Sequence, residues 1–408
     1  MPLKCRFCDS LLVNEVINLG HQPPSNAYLS ADKLNQPEVT FPLKVYVCSS
    51  CWLVQLPEHT SAEHLFTHDY AYFSSISSSW LEHSRIYANR VICDLSLNSE
   101  SFVVEIASND GYLLKYFVDK KIPCLGIEPT SEAAQVSLEK GIETLQVFFG
   151  SETSNDILSK YRQADLIIAN NVLAHVPDIN DFMKGISSLI ADHGVITFEF
   201  PHLLNLLSLN QFDTIYHEHY SYLSFTFVCL LAKNHSLKVI DVEKLNTHGG
   251  SLRVWLTRSS KKDNLNPSVN RMLELEKKHK LDELNTYTEF QNKADKIKNE
   301  MLTLLLDFKK LNYRVCAYGA AAKGNTFLNF AGVKKDLIDF VVDKSPSKIG
   351  KFMPSSHLEI KSPEILQDYK PEQIIVLPWN ISSEIKDQLR SFGVNSPLHT
   401  FIPSHKIL

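Results

Sequence analysis

From about residue 100 onward, short apolar runs end in small polar turns, and each turn leads into a stretch with apolar residues at helical spacing. "FVVEIASNDGYLLKYF" (102–117) reads as a strand, a turn and an amphipathic helix. "PCLGIEP" (123–129) is a second strand ending in an acid, Glu128. "ADLIIANNVLAHVPD" (164–178) is a third, ending in Asn170, Asn171 and His175, and "GVITFEFP" (194–201) is a fourth. Strands separated by helices predict a parallel, doubly wound sheet whose ligands bind at the carboxyl ends of the strands. A charge-rich helical stretch over about 267–310 follows, best read as a solvated connector. Then "YRVCAYGAAAKGNTFLNF" repeats the strand–turn–helix plan. "LIDFVVDKSP", with Asp343, and "QIIVLPWN", with Trp379 and Asn380, supply further strands of a second α/β sheet.

A length of 408 residues suits two or three cores. The expected division is 1–65, a small metal-binding module; 66–255, the first α/β domain with a helical lead-in; and 256–408, the second. A net charge of −5 argues against nucleic acid as a partner. No apolar run reaches membrane-spanning length. The start, "MPLKCRFCDS", lacks the order of a secretory signal, so a cytoplasmic chain with reduced cysteines is expected.

In that setting, paired cysteines point to metal. Cys5-x-x-Cys8 and Cys48-x-x-Cys51 each put two thiolates on one tight turn, and two such turns complete a tetrahedral S4 site for one zinc ion. Four thiolates leave no open position, so the zinc should be structural. A redox dithiol is the rival, but a redox C-x-x-C normally follows a strand. Cys93, Cys124, Cys229 and Cys316 read as ordinary buried cysteines.

The turn after the first strand holds Gly111 as its lone glycine, where a dinucleotide fold wants G-x-G-x-x-G. Glu105, Asn109 and Asp110 surround it. Such carboxylates repel a pyrophosphate and suit a sulfonium carrying an amino group, while Glu128 can accept from both hydroxyls of a ribose. S-adenosylmethionine therefore fits better than NAD, although the same pattern also occurs in plain strand–turn–helix units.

The order C-x-x-C…C-x-x-C, "VVEIASNDGYLL", "NVLAHVPD", "YHEHYSYLS", "THGGSLRVW" and "YGAAAKGN" resembles the nucleotide-sugar C-methyltransferases of bacterial deoxysugar pathways, over nearly the whole chain. The resemblance implies an N-terminal zinc-binding module, a central Rossmann-like class I methyltransferase domain and a C-terminal second Rossmann-like α/β domain. It implies a monomer that methylates C3 of a 4-keto deoxysugar attached to a nucleoside diphosphate, with S-adenosylmethionine as donor. Asn170 and Asn171 are expected to complete the donor site.

"YHEH" (216–219) is the most specific block. A carbon nucleophile beside a ketone requires a base to remove a proton and donors to hold the oxyanion. His219 is the expected base, Glu218 support or a sugar anchor, and Tyr216 an orienting or oxyanion group. A neighbouring carboxylate could fix the tautomer of the base. The resemblance adds His175 and Tyr70 to the active site, while His217 is left out of catalysis. In "GAAAKGNT", Asn325 stands where a P-loop lysine belongs, which argues against ATP. Gly319, Lys323 and Asn325 remain suited to a diphosphate at a helix start. Arg253 and His248 are candidates to face sugar or phosphate. The alternatives are an O- or N-methyltransferase on a small polar metabolite, or a non-catalytic zinc-ribbon recruiting factor. The recruiting factor is disfavoured by the few basic residues between Cys8 and Cys48.

Overall fold

The computed structural model describes residues 2–61, 73–261 and 265–408. Three sheets organise them. The N-terminal segment forms β1 (Asn14–Gln22), β2 (Phe41–Val47) and β3 (Val54–Gln55), paired antiparallel. The next sheet contains β4 (Val103–Ile106), β5 (Cys124–Ile127), β6 (Thr144–Leu145), β7 (Ala164–Asn170) and β8 (Ile190–Pro201), all parallel. All four residues of β4 are buried, the signature of a strand covered on both faces. β9 (Ser221–Tyr222) leaves this region to pair with β3, so the first sheet takes its fourth strand from far along the chain.

β10 (Leu237–Leu245) and β11 (Ser251–Arg258) then form a hairpin that adds antiparallel strands, giving the order β10-β11-β8-β7-β4-β5-β6. The last sheet, β14-β13-β12-β15-β16-β17, is built from β12 (Val315–Tyr318), β13 (Val341–Val342), β14 (Ile360–Lys361), β15 (Gln373–Val376), β16 (Leu398–Thr400) and β17 (Lys406–Ile407). The chain is α/β, as the sequence pattern predicts, but its sheets are mixed where parallel ones were expected, because the β10–β11 hairpin adds antiparallel to β8 and β17 adds antiparallel to β16.

The connector differs from the expectation of one helical stretch. Pro267–Lys278 and Phe290–Lys310 are separate helices, broken where Lys280 takes a positive φ and Leu281 turns into the core. The long helix buries Phe290, Ala294, Ile297, Met301, Leu305 and Phe308, so one face is core. The scattered cysteines also differ: Cys316 is buried, Cys124 and Cys229 are half-buried, and Cys93 is exposed. Among the described residues, no helix is long and apolar enough to cross a membrane.

Candidate active site

The two C-x-x-C turns meet. Cys5 and Cys51 sulfurs are 3.5 Å apart and those of Cys8 and Cys48 are 3.6 Å apart. All four lie within 4.8 Å of one another. A tetrahedral zinc with bonds of about 2.3 Å would set its sulfurs about 3.8 Å apart, so the donor set fits. Gln55 Nε2 lies 3.1 Å from the Cys5 sulfur and supports it as an acceptor. The module is tied to the methyltransferase region by Arg6, which donates to Pro177 O at 2.7 Å and is steadied within the module by donating to Leu56 O at 2.5 Å. Phe7 packs edge-on against Phe227 with ring centroids 5.3 Å apart. Four cysteine donors leave no open position, so the centre serves the fold.

At the carboxyl ends of β4, β5 and β7, the loop residues predicted for the donor gather. Ala107, Asn109 and Asn171 all have positive φ, an uncommon conformation for residues with a Cβ. Ser108 Oγ, Asn170 Oδ1 and Asn171 Oδ1 are buried without a hydrogen-bond partner among the described residues. Such orphaned groups fit a site made for a polar ligand. Burial pushes the Glu105 carboxyl well above its usual range, with Asp110 and Glu128 adding repulsion and Tyr112 working against it.

Glu128 differs from the expectation of a carboxylate turned wholly to a ribose. Its Oε2 accepts from Asn109 N at 2.9 Å, and its Oε1 accepts from Thr130 N at 2.9 Å and Thr130 Oγ1 at 2.5 Å. It therefore shapes the loop, leaving remaining lone pairs for a ligand. Asp110 pairs with Lys140 at 3.1 Å. Gly111 (φ +73°) packs where a Cβ would lie 2.4 Å from Ile142, so it serves helix packing.

The YHEH block is a turn, with His219 N donating to Tyr216 O at 2.9 Å, and it splits its residues between two sides. The His219 ring lies 4.0 Å from the Tyr216 ring and 4.6 Å from the His175 ring, centroid to centroid. His219 Nδ1 lies 2.8 Å from Thr214 O, so Nδ1 carries the proton and Nε2 keeps its lone pair. A backbone carbonyl thus fixes the tautomer, in place of the expected carboxylate. Burial, aided by His175, holds the His219 pKa well below the usual histidine range, and burial brings His175 down to about 4. Both rings are neutral at pH 7.

Glu218 points the other way. Its two oxygens accept from Asn26 Nδ2 at 2.7 and 2.9 Å. His217 is buried against Phe41, with ring centroids 5.8 Å apart. Tyr70 lies outside the described residues.

The turn between β12 and the helix Ala322–Ala331 brings Lys323 toward the same histidines. Gly319 (φ +94°) crosses so close to Pro378 that a Cβ would lie 2.4 Å from its ring. Lys323 Nζ donates to Asn380 Oδ1 at 2.7 Å and sits 5.1 Å from the centroid of the Trp379 ring. Its charge is felt at His219, His248 and Asp213. The lysine is half-buried among these groups.

Two predicted ligands also hold partners within the chain, though Asn325 Oδ1 and Arg253 Nε have none among the described residues. Asn325 is fully buried and its amide donates to Ser25 O at 2.5 Å, which ties the helix to the N-terminal segment. Arg253, opposite Glu199 across β11 and β8, bonds it at 2.8 Å, meets His83 at 2.9 Å and lies over Tyr87. Cross-strand neighbours of opposite charge pair in this way, and one amino group of the guanidinium is engaged in the sheet. Asn26, Thr214, Glu199 and His83 were not legible as partners, since each is brought in by a distant element. Asp213 was legible only as an acid just ahead of YHEH.

Comparison with known proteins agrees with this layout. Residues 5–66 match a family domain described as zinc binding, 81–242 a methyltransferase domain, and 246–401 a C-methyltransferase C-terminal domain. The C-methyltransferase NovU of Streptomyces niveus is 32% identical over 392 residues, covering 96% of this chain and 93% of NovU. Among solved structures, magnesium protoporphyrin IX methyltransferase from Synechocystis PCC 6803 with bound SAM covers 44% of this chain and 79% of its own, at 11% identity and TM-score 0.34. The PH0226 protein of Pyrococcus horikoshii OT3 covers 46% and 95%, at 14% identity and TM-score 0.37. These structural likenesses are too slight to carry an argument.

Proposed function

Because this chain belongs to the C-methyltransferases, we propose that it transfers a methyl group from S-adenosylmethionine to C3 of a nucleotide-linked 4-keto deoxysugar through an enolate. The observation that carries this reading is the state of His219. Its Nδ1–H donates to Thr214 O, and its ring lies beside those of Tyr216 and His175 with the Nε2 lone pair retained. A neutral imidazole held in one tautomer is what abstraction of a proton beside a ketone requires. Tyr216 supplies a phenol beside that base, suited to hold the oxyanion as it forms. When bound, S-adenosylmethionine supplies an electrophilic methyl group.

The acid-lined end of β4 and β5 suits the cationic donor, and Lys323 with the helix start at Ala322 suits the diphosphate. Glu218 buttresses the turn through Asn26 and so sets where His219 stands. The four-cysteine centre holds one structural zinc, and the domains divide near residues 65 and 255.

The test is washout of deuterium from C3 of candidate dTDP-, GDP- and CDP-linked 4-keto sugars, with the demethylated donor present in place of the donor. Wild type is expected to exchange. His219→Ala should lower both exchange and methylation by roughly 10²–10⁴-fold, with donor binding kept. Exchange persisting at the wild-type rate in that variant moves the base elsewhere.

A further inference from the structure

Trp379 joins two segments distant in sequence. Its Nε1–H donates to Asp213 Oδ2 at 2.7 Å, and the Lys323 ammonium lies over its ring. The far edge of the indole rests on Gly249, where a Cβ would come within 2.4 Å of the ring. Gln211 Nε2 holds the Gly249 carbonyl at 2.8 Å, which fixes the surface on which the indole lies. Asp213 is only 1% exposed and directly precedes Thr214, whose carbonyl accepts from His219 Nδ1–H. One short turn therefore contacts both the base and, through an indole, the cation.

Chemistry gives that connection a direction. An indole whose N–H donates to a carboxylate is polarised toward its ring, and a richer ring attracts a cation more strongly. The carboxylate charge itself also favours the ammonium form of a nearby lysine. We propose that Asp213, acting through Trp379, is a positioning residue that keeps Lys323 charged and fixed beside His219, so that the anionic part of the substrate docks next to the base. The docking clause rests on the proposed function; the Asp213–Lys323 linkage does not.

Among the described residues, the groups facing Lys323 are Asp213 from the turn Phe212–Thr214, His219 from the YHEH turn, His248 from the turn Thr247–Gly249, and the uncharged Trp379 and Asn380. Burial draws the ammonium below the usual lysine range, and Asp213 opposes that shift. Burial raises the Asp213 carboxyl to about 6, which leaves it ionised across the pH 7 to 11 range of the test below. The two histidines are held neutral, chiefly by burial, and add no competing charge.

The test reads Lys323 directly. Competitive acetylation with acetic anhydride from pH 7 to 11, followed by peptide mass spectrometry, reports the apparent pKa of this one lysine in the whole protein. Asp213→Asn retains the shape and an acceptor but removes the charge. It should lower that pKa by about one unit, roughly a ten-fold rise in the deprotonated fraction at fixed pH. Trp379→Phe keeps the ring and loses the N–H, and should shift it the same way by less. An unchanged Lys323 titration in both variants overturns the proposal.

A second arm measures dTDP, UDP, GDP and CDP binding by calorimetry at pH 7 and 9.5. Asp213→Asn should lose affinity with rising pH earlier than wild type, and Asp213→Asn/Lys323→Arg should not. If Lys323→Met binds all four like wild type, the docking reading fails, while the acetylation result still decides the role of Asp213.

Discussion

The loop after β4 and the loop after β12 are built on one plan and surrounded by opposite charge. In each, the acid that ends the next strand turns one oxygen back to the loop and the other forward. Glu128 accepts from Asn109 N and Thr130 N, both at 2.9 Å; Asp343 accepts from Ala320 N and Ser345 N, both at 2.8 Å. The surroundings then diverge. Glu105 and Asp110 crowd the first loop, with Lys140 answering only Asp110. The second has Lys323 above it and Lys348, whose Nζ donates to Ala320 O at 2.8 Å and lies 3.9 Å from Asp343. The shared device sets the backbone, and the neighbouring side chains set the sign of the ligand.

The harshest way to break this contrast is to reverse the second loop. Lys323→Glu should weaken nucleoside diphosphate binding by about 100-fold or more, since an attraction becomes a repulsion in a poorly solvated cleft. Donor binding should be unchanged; calorimetry with each ligand separately checks both. Next is Glu128→Ala, which releases Asn109 N and Thr130 N together. Losing hydrogen bonds to a charged acceptor costs about 1.5–3 kcal/mol, so donor affinity should fall roughly 10- to 100-fold with nucleotide affinity kept. Asp343→Asn is the milder counterpart. Its amide can still accept from one N–H, and nucleotide affinity should fall only about three- to ten-fold. If Glu128→Ala harmed both ligands equally, the loops would not be independent sites.

Strands β4, β5, β7 and β8 of one sheet and β12, β13 and β15 of the other were legible because buried parallel strands read as apolar runs, and the cysteine pairs because their spacing is itself geometry. The antiparallel hairpin β10–β11 and the short strands β6, β14, β16 and β17 were not. The sign of each loop was legible too, from Glu105 and Glu128 in one and Lys323 in the other. What could not be read was which polar groups are already spent. Arg253 looked available, yet its partner Glu199 stands across a strand pair that only antiparallel register brings together. Asn325 sat in a glycine-rich turn, but Ser25, far along the chain, takes its amide. The tautomer of His219 rests on Thr214 O, a backbone atom that no residue type announces.

The subtlest consequence of the comparison is that the two loops should exchange protons in opposite directions. Burial holds part of the Glu105 and Glu128 population protonated above the usual carboxylate range. A sulfonium arriving beside them favours their ionised form, lowers their pKa values and releases protons. Lys323 has its ammonium drawn below the usual lysine range. A diphosphate arriving beside it favours the charged form, raises its pKa and takes protons up. Donor binding should therefore weaken as pH falls, and nucleotide binding as pH rises. Calorimetry in two buffers of different ionisation enthalpy reads the sign directly: release of a fraction of a proton for S-adenosylmethionine near pH 6, uptake of a fraction for the nucleoside diphosphate near pH 9. Equal signs would mean that the two loops do not present opposite charge to their ligands.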